Sequence, residues 1–123
     1  MEIKRYFFDS YAIIELLNGN LSYAKFINEN VTLTLFNLAE IYWFAINEYE
    51  ENKANEIYNK YKPSVIDVSD EILKEAIKFR KENKKKDLSY TDCIGYIYAK
   101  ENNLTFLTGD KGFKDLENVE FVK

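Results

Sequence analysis

Short apolar runs alternate with longer segments of helical spacing along the whole chain, and this alternation restricts the architecture more than any other property of the sequence. Ile3 to Phe8 reads as a first strand that stops at Asp9, and Ser10 can cap a helix carrying Ile13, Leu16 and Leu17 inward. Gly19 and Asn20 break that helix, and a second, short one is expected over Leu21 to Ile27. Val31 to Leu35 alternates threonine with apolar residues, as a strand does. A long helix is expected from near Asn37 to about Glu51, with an apolar stripe of Leu38, Ile41, Tyr42, Ala45, Ile46 and Tyr49. Another helix covers Ala54 to Tyr61. Pro63 separates it from a strand at Val65 to Val68. Ser69 caps the next helix, which buries Ile72, Leu73, Ala76 and Ile77, and a lysine-rich loop follows. Ser89 to Asn102 reads as a helix, Leu104 to Leu107 as a strand, and Val119 to Val122 as a last strand after a short turn or helix. Strands that alternate with helices throughout predict an α/β fold, with helices on both faces of a parallel sheet and right-handed crossovers.

The chain of 123 residues is long enough for one compact domain and too short for two, so residues 1–123 are expected to form a single domain. The longest strongly apolar run, Ile41 to Ile46, is far below the ~20 residues of a membrane helix. The segment MEIKRYFFDS enters a strand pattern without the apolar stretch of a signal peptide. The one cysteine, Cys93, has no intramolecular partner and reads as a small core residue, in keeping with a reducing cytoplasm. A net charge of −4 argues against nucleic-acid binding by bulk electrostatics. Locally, Arg80, Lys81, Lys84, Lys85 and Lys86 form a basic stretch, either a solvated loop or a positive exterior.

The topology puts four acids on one rim. Ligands of such folds bind outside the C-terminal ends of the strands. Asp9 ends the first strand, and Asp110 follows the strand at 104–107 within the segment FLTGDKGF. Glu40 lies in the first turn of the helix after the second strand. Asp92 opens the helix that runs down into the strand at 104–107, so it starts at the same edge. Four gathered carboxylates repel one another unless a cation joins them. With no histidine and one cysteine, that cation would be held by oxygen, which suits Mg²⁺ or Mn²⁺ and the hydrolysis of a phosphodiester. Each acid also has a purely structural reading. Asn37 to Glu40 and Ser89 to Asp92 both have capping-box spacing, Asp110 suits a turn, and Asp9 could cap the first helix. Trp43 and Phe44 lie off the apolar stripe of their helix, so it is apolar on most of its circumference. Its second burial comes either from core packing within the chain or from another subunit.

At these residues the sequence resembles the PIN domain, and most of all the small VapC-type ribonuclease toxins. The resemblance is carried by YFFDSYAIIELL, TLTLFNLAEIYW and LSYTDCIGYIYAKENNLTFLTGDKGF, in the family's order and spacing over nearly the whole chain. It implies a three-layer α/β/α fold around a mostly parallel five-stranded sheet, and a Mg²⁺- or Mn²⁺-dependent endoribonuclease that is the toxin of a type II toxin–antitoxin pair. By the same resemblance Asp9, Glu40, Asp92 and Asp110 are the catalytic and metal-binding acids, and Ser10 and Thr108 are supporting hydroxyls. The implied partners are an RNA substrate, a small antitoxin protein and a second copy in a homodimer, with no membrane. Many relatives carry a further acid two places after the last aspartate. Here that place is Gly112, which leaves open whether one metal binds or two. It also keeps a second reading in play, a catalytically inactive PIN-like protein-binding module. A receiver-type phosphoryl-transfer domain fits less well, since Asp9 is followed by Ser10 and Tyr11 rather than by a second acid.

Overall fold

The computed structural model describes residues 3–123, so Met1 and Glu2 lie outside the description. Among these residues five strands are interleaved with five α-helices, two of the connections being helix pairs: β1 (Tyr6–Phe8), α1 (Ser10–Leu17), β2 (Leu33–Thr34), α2 (Leu35–Glu48), α3 (Glu51–Tyr61), β3 (Val65–Ile66), α4 (Asp70–Glu82), α5 (Tyr90–Glu101), β4 (Thr105–Thr108) and β5 (Val119–Phe121). Short 3-10 turns at Leu21–Phe26, Lys62–Ser64, Lys84–Lys86 and Lys111–Phe113 fill the connections.

Every strand pair is parallel, as the alternation requires. Five strands are expected, and five form, but their hydrogen-bonded ladders divide into β1-β4-β5 and β2-β3. One backbone bond joins the two sheets. Neighbouring amides of a strand point to opposite edges. Asp9 N–H donates to Leu107 O (3.0 Å) on the β4 side, and Phe8 N–H donates to Thr32 O (2.9 Å) on the other. The spatial order is therefore β3-β2-β1-β4-β5, and strand order reverses between β1 and β4. That is the place where open parallel sheets hold their ligands.

The two faces of β1 separate the core into layers. Phe7 faces α5, where it stacks on Phe106 (ring centroids 5.6 Å apart) and meets Tyr98. Tyr96, Phe113 and Phe79 extend this aromatic layer. Gly95 makes the close approach possible: a Cβ there would lie 2.8 Å from the Phe7 ring and 3.3 Å from that of Phe106. Tyr6 and Phe8 face the other way, and Tyr6 packs edge-on against both Phe8 and Phe26. Cys93 is buried and free, as its neighbours suggested. No helix among the described residues is long and apolar enough to cross a membrane.

The element boundaries correct several expectations. β2 is only two residues long, and α2 begins at Leu35 rather than near Asn37. The cap is Thr34, paired with Asn37 in a complete capping box. The alternative reading of Asn37 and Glu40 as a capping box does not hold, because Asn37 is already the far end of the Thr34 box. The helix after β1 is capped by Asp9, whose carboxylate accepts from Ser10 N, rather than by Ser10. The long helix also stops at Glu48, and β1 and β3 are shorter than their apolar runs. Strands in a small sheet end where their partners end, which the hydrophobic pattern does not record.

Trp43 is 68% exposed, and Leu35, Phe36 and Ile46 of the same helix are exposed as well. Core packing within the chain therefore does not account for the outer face of α2.

Candidate active site

The shift of the α2 cap from Asn37 to Thr34 decides what Glu40 does. Released from a capping role, Glu40 accepts a hydrogen bond from Ser10 Oγ (2.6 Å). Ser10 Oγ in turn accepts from Asn37 Nδ2 (2.9 Å), while Asn37 Oδ1 accepts from Thr34 N (3.0 Å) and Thr34 Oγ1 (2.8 Å). Asn37, Thr34 and Ser10 are all buried, so this chain fixes the start of α1 against the start of α2. Sequence reasoning missed Asn37 as a member of the site. Its signal was present, since Thr34 and Asn37 are three apart, but they are embedded in strand-like alternation.

Asp9 is 2% exposed. It accepts from Ser10 N (2.9 Å) and from Thr108 Oγ1 (2.6 Å), and Thr108 Oγ1 also accepts from Asp110 N (3.0 Å). The Thr108 hydroxyl thus ties the ends of β1 and β4 together. Asp110 turns back on itself, its Oδ1 accepting from Gly112 N (2.9 Å). Asp92 forms the capping box with Ser89 that the spacing suggested, accepting from Ser89 N (2.9 Å) while Ser89 Oγ accepts from Asp92 N (3.0 Å).

These acids are brought together. Asp9, Glu40, Asp92 and Asp110 line one open cavity of about 550 Å³ with Ser10, Tyr11 and Trp43, and Thr108 lies behind Asp9 as its buried donor. Among the described residues, no three acids stand close enough together to form a ready cluster around one ion. Tyr11 and Trp43 were not singled out for this wall: Trp43 was noted only as lying off the apolar stripe of its helix, and Tyr11 only as the residue after Ser10.

The electrostatics record the gathering. Burial, then the charge of Asp92 and, less, of Glu40, push the Asp9 carboxyl up to about 8 against the donated bonds of Thr108 and Ser10. Glu40 is raised by burial and by Asp92, with the Ser10 bond opposing. Asp92 is raised by burial and by Asp110, with the Ser89 bonds opposing. Each acid holds its neighbour back from ionising, which is an unfavourable arrangement in the absence of positive charge.

The PIN domain profile matches residues 6–119. The chain belongs to the PIN domain family. PIN domains are generally nucleases and typically use divalent metal ions. No curated protein matches the chain. Among solved structures the fold is similar to a toxin-antitoxin complex from Klebsiella pneumoniae (TM-score 0.75, 20% identity, covering 94% of this chain and 95% of that one). It is also similar to VapBC2 from Rickettsia felis bound to a DNA fragment from their promoter (TM-score 0.71, 18% identity, 94% and 96%). FitAcB from Neisseria gonorrhoeae is a third structure of similar fold (TM-score 0.68, 18% identity, 96% of both).

Proposed function

We propose that this PIN domain is a metal-dependent endoribonuclease of the VapC type, the toxin of a type II toxin–antitoxin pair, acting in the cytoplasm. The observation that carries the reading is the convergence of Asp9, Glu40, Asp92 and Asp110 on one cavity at the strand-order reversal. The likeness in fold to a toxin–antitoxin complex and to VapBC2 supports the toxin assignment and the antitoxin partner. The exposed apolar face of α2 supports a homodimer.

The donor set fits Mg²⁺ or Mn²⁺ in kind, since all four side chains offer hard carboxylate oxygens. Asp9, Glu40, Asp92 and Asp110 are the residues that would hold it. A divalent ion bound there supplies the Lewis acid that lowers the pKa of a water and neutralises the scissile phosphate. The chain's own residues prepare that chemistry. Thr108 and Ser10 N hold both Asp9 oxygens, so the carboxylate cannot rotate away from the cavity. Ser10 fixes one Glu40 oxygen and leaves the other for water or metal. Asp9, whose charged form is disfavoured, gains most when a cation arrives.

The test is cleavage of single-stranded RNA with Mn²⁺, with and without chelator, by the parent, Asp9→Asn and Asp92→Asn. Chelator-sensitive cleavage by the parent and its loss in both variants is the expected result. Equal activity in all three would sink the assignment. Gly112 and the spread acids favour one competing reading, an inactive module that only binds protein. Calorimetry that finds no heat of binding at millimolar Mn²⁺ would favour that module.

A further inference from the structure

We infer that the connection between α4 and α5 is the RNA-docking surface of this chain. It would seat a nucleobase on Tyr90 and the backbone phosphates on Lys81, Lys84, Lys85 and Lys86. The inference rests on the nuclease reading for its substrate class and on separate residues for its substance.

Between Arg80 and Tyr90 the sequence has five cations and two acids, in a chain whose net charge is −4. Among the described residues none of these five cations forms an ion pair with a carboxylate, whereas Lys4, Lys78 and Lys100 do. Lysines left unpaired at a surface offer their full charge to a phosphate chain. They also surround a concavity: a hollow of about 330 Å³ is lined by Arg80, Lys81, Lys84, Asp87, Leu88 and Tyr90, among others.

One wall of that hollow is an aromatic platform. The Arg80 guanidinium stacks on the Tyr90 ring at 4.3 Å, and Arg80 Nε donates to Leu88 O (2.8 Å), so arginine and ring are held together. Tyr90 as a residue stays 58% exposed, which leaves room for a stacking partner. A base stacked on an aromatic ring, with a basic groove tracking the backbone, is how single strands are gripped without sequence preference.

The platform is tied to the acid rim. Asp87 takes a left-handed conformation (φ 53°), which ends the lysine turn and sends Leu88 back into the core. Leu88 then fills the space over Gly112: a Cβ there would lie 2.6 Å from Leu88 Cδ2 and 3.3 Å from Lys86 O. Gly112 N holds Asp110, and Tyr90 starts the helix whose first turn carries Asp92. The basic turn and the acid rim are thus neighbours through Leu88, Gly112 and Asp110. Any side chain at Gly112 would have to displace Leu88, whose burial anchors the end of the basic turn.

The experiment measures binding apart from cleavage. Fluorescence anisotropy of a labelled single-stranded RNA of about 12 nucleotides, a length within the range of single-strand binding sites, is recorded in chelator with the full chain. The variants are Lys84→Ala/Lys85→Ala/Lys86→Ala, Tyr90→Ala and Tyr90→Phe, with melting curves as a folding control. The triple variant should bind at least tenfold more weakly, and its log Kd should depend less on log salt by about 2, from about 0.7 per phosphate contact on a single strand. Tyr90→Ala should lose about fivefold or more, and Tyr90→Phe should bind within twofold of the parent, because the stacking face is kept. RNA binding within twofold of the parent by a folded triple variant would overturn the inference, as would no RNA binding by the parent. Loss of binding to polyglutamate with RNA binding intact would overturn it too, and would mark a site for an acidic protein instead. Lysine-dependent RNA binding without cleavage leaves the surface standing and the nuclease reading failed. Cleavage with unchanged kcat/KM in the triple variant does the reverse.

Discussion

The acid rim and the basic turn meet at the contact between Leu88 and Gly112, and they are built by opposite rules. On the rim like charges are gathered, partly buried and held by hydroxyls and backbone amides, so that Asp9, Glu40 and Asp92 are all reluctant to ionise. On the turn like charges are gathered in solvent, without ion pairs, and only the Arg80 and Tyr90 platform is fixed. Repulsion at the surface is screened by water and salt and costs little. Repulsion in a buried site is screened far less, so the rim is an electrostatic load that a bound proton or a cation relieves. Apart from the Arg80 and Tyr90 platform, fixed placement is thus confined to the rim, where the proposed chemistry would need it, while the solvated lysines of the turn would suit a phosphate chain that can be met in many ways.

Activity should separate the two regions most sharply. Asp9→Asn removes the most buried of the proposed metal ligands, and a loss of several kcal/mol of transition-state stabilisation corresponds to about 10³-fold or more in kcat. Rate measurements at saturating Mn²⁺ check this, and kcat within tenfold of the parent would show that Asp9 is not part of the machinery.

Stability should move in the opposite sense. Because the Asp9 carboxyl sits at about 8 in the folded protein, above its unfolded value, the folded state binds the proton more tightly. Its contribution is fully present below the unfolded value of 3.8 and is lost as pH rises through about 8. Metal-free parent should thus lose stability across that window, at most about 1.4 kcal/mol for each pH unit in which only the folded state keeps the proton. Asp9→Asn should flatten this slope and be more stable than the metal-free parent near neutral pH. Urea unfolding in chelator at a series of pH values measures both, and a parent whose stability rises from pH 5 to 8 would contradict the burial argument.

Asn37→Ala should cost about 1–3 kcal/mol, since it strands Ser10 and Thr34 in the interior. Chemical denaturation checks that figure. Restoring an acid beside the rim should have the smallest effect. Gly112→Asp forces Leu88 aside and should destabilise by about 1 kcal/mol, because a leucine methyl can yield part of the way. Leu88→Ala combined with Gly112→Asp should cost less than the sum of the two single changes. Additive costs would mean that Leu88 is not what excludes the acid.

The helices most readable in the sequence are those with local signals. Ser69 caps α4 as its spacing indicated, and Ser89 with Asp92 opens α5 with a box whose partners are three residues apart. The start of α2 was misread for an equally local reason. Thr34 serves both as the end of β2 and as the cap of α2, and alternation across VTLTLF concealed the handover. Glu40 was identified as a rim acid while its structural alternative, a capping box with Asn37, was still open, and only the correct cap removed that alternative.

The sequence by itself determined the α/β alternation, the parallel pairing that follows from it, and the edge of the sheet on which the four acids fall, because these depend on periodicity and on which end of a strand or helix a residue occupies. Tertiary structure alone decided the division of the sheet into two ladders, the relay from Asn37 through Ser10 to Glu40, the clasp of Thr108 on Asp9, and the seating of Leu88 over Gly112. Most of those contacts join residues 27 to 99 positions apart, and hydrogen bonds and packing at that range depend on where the folded layers bring side chains together.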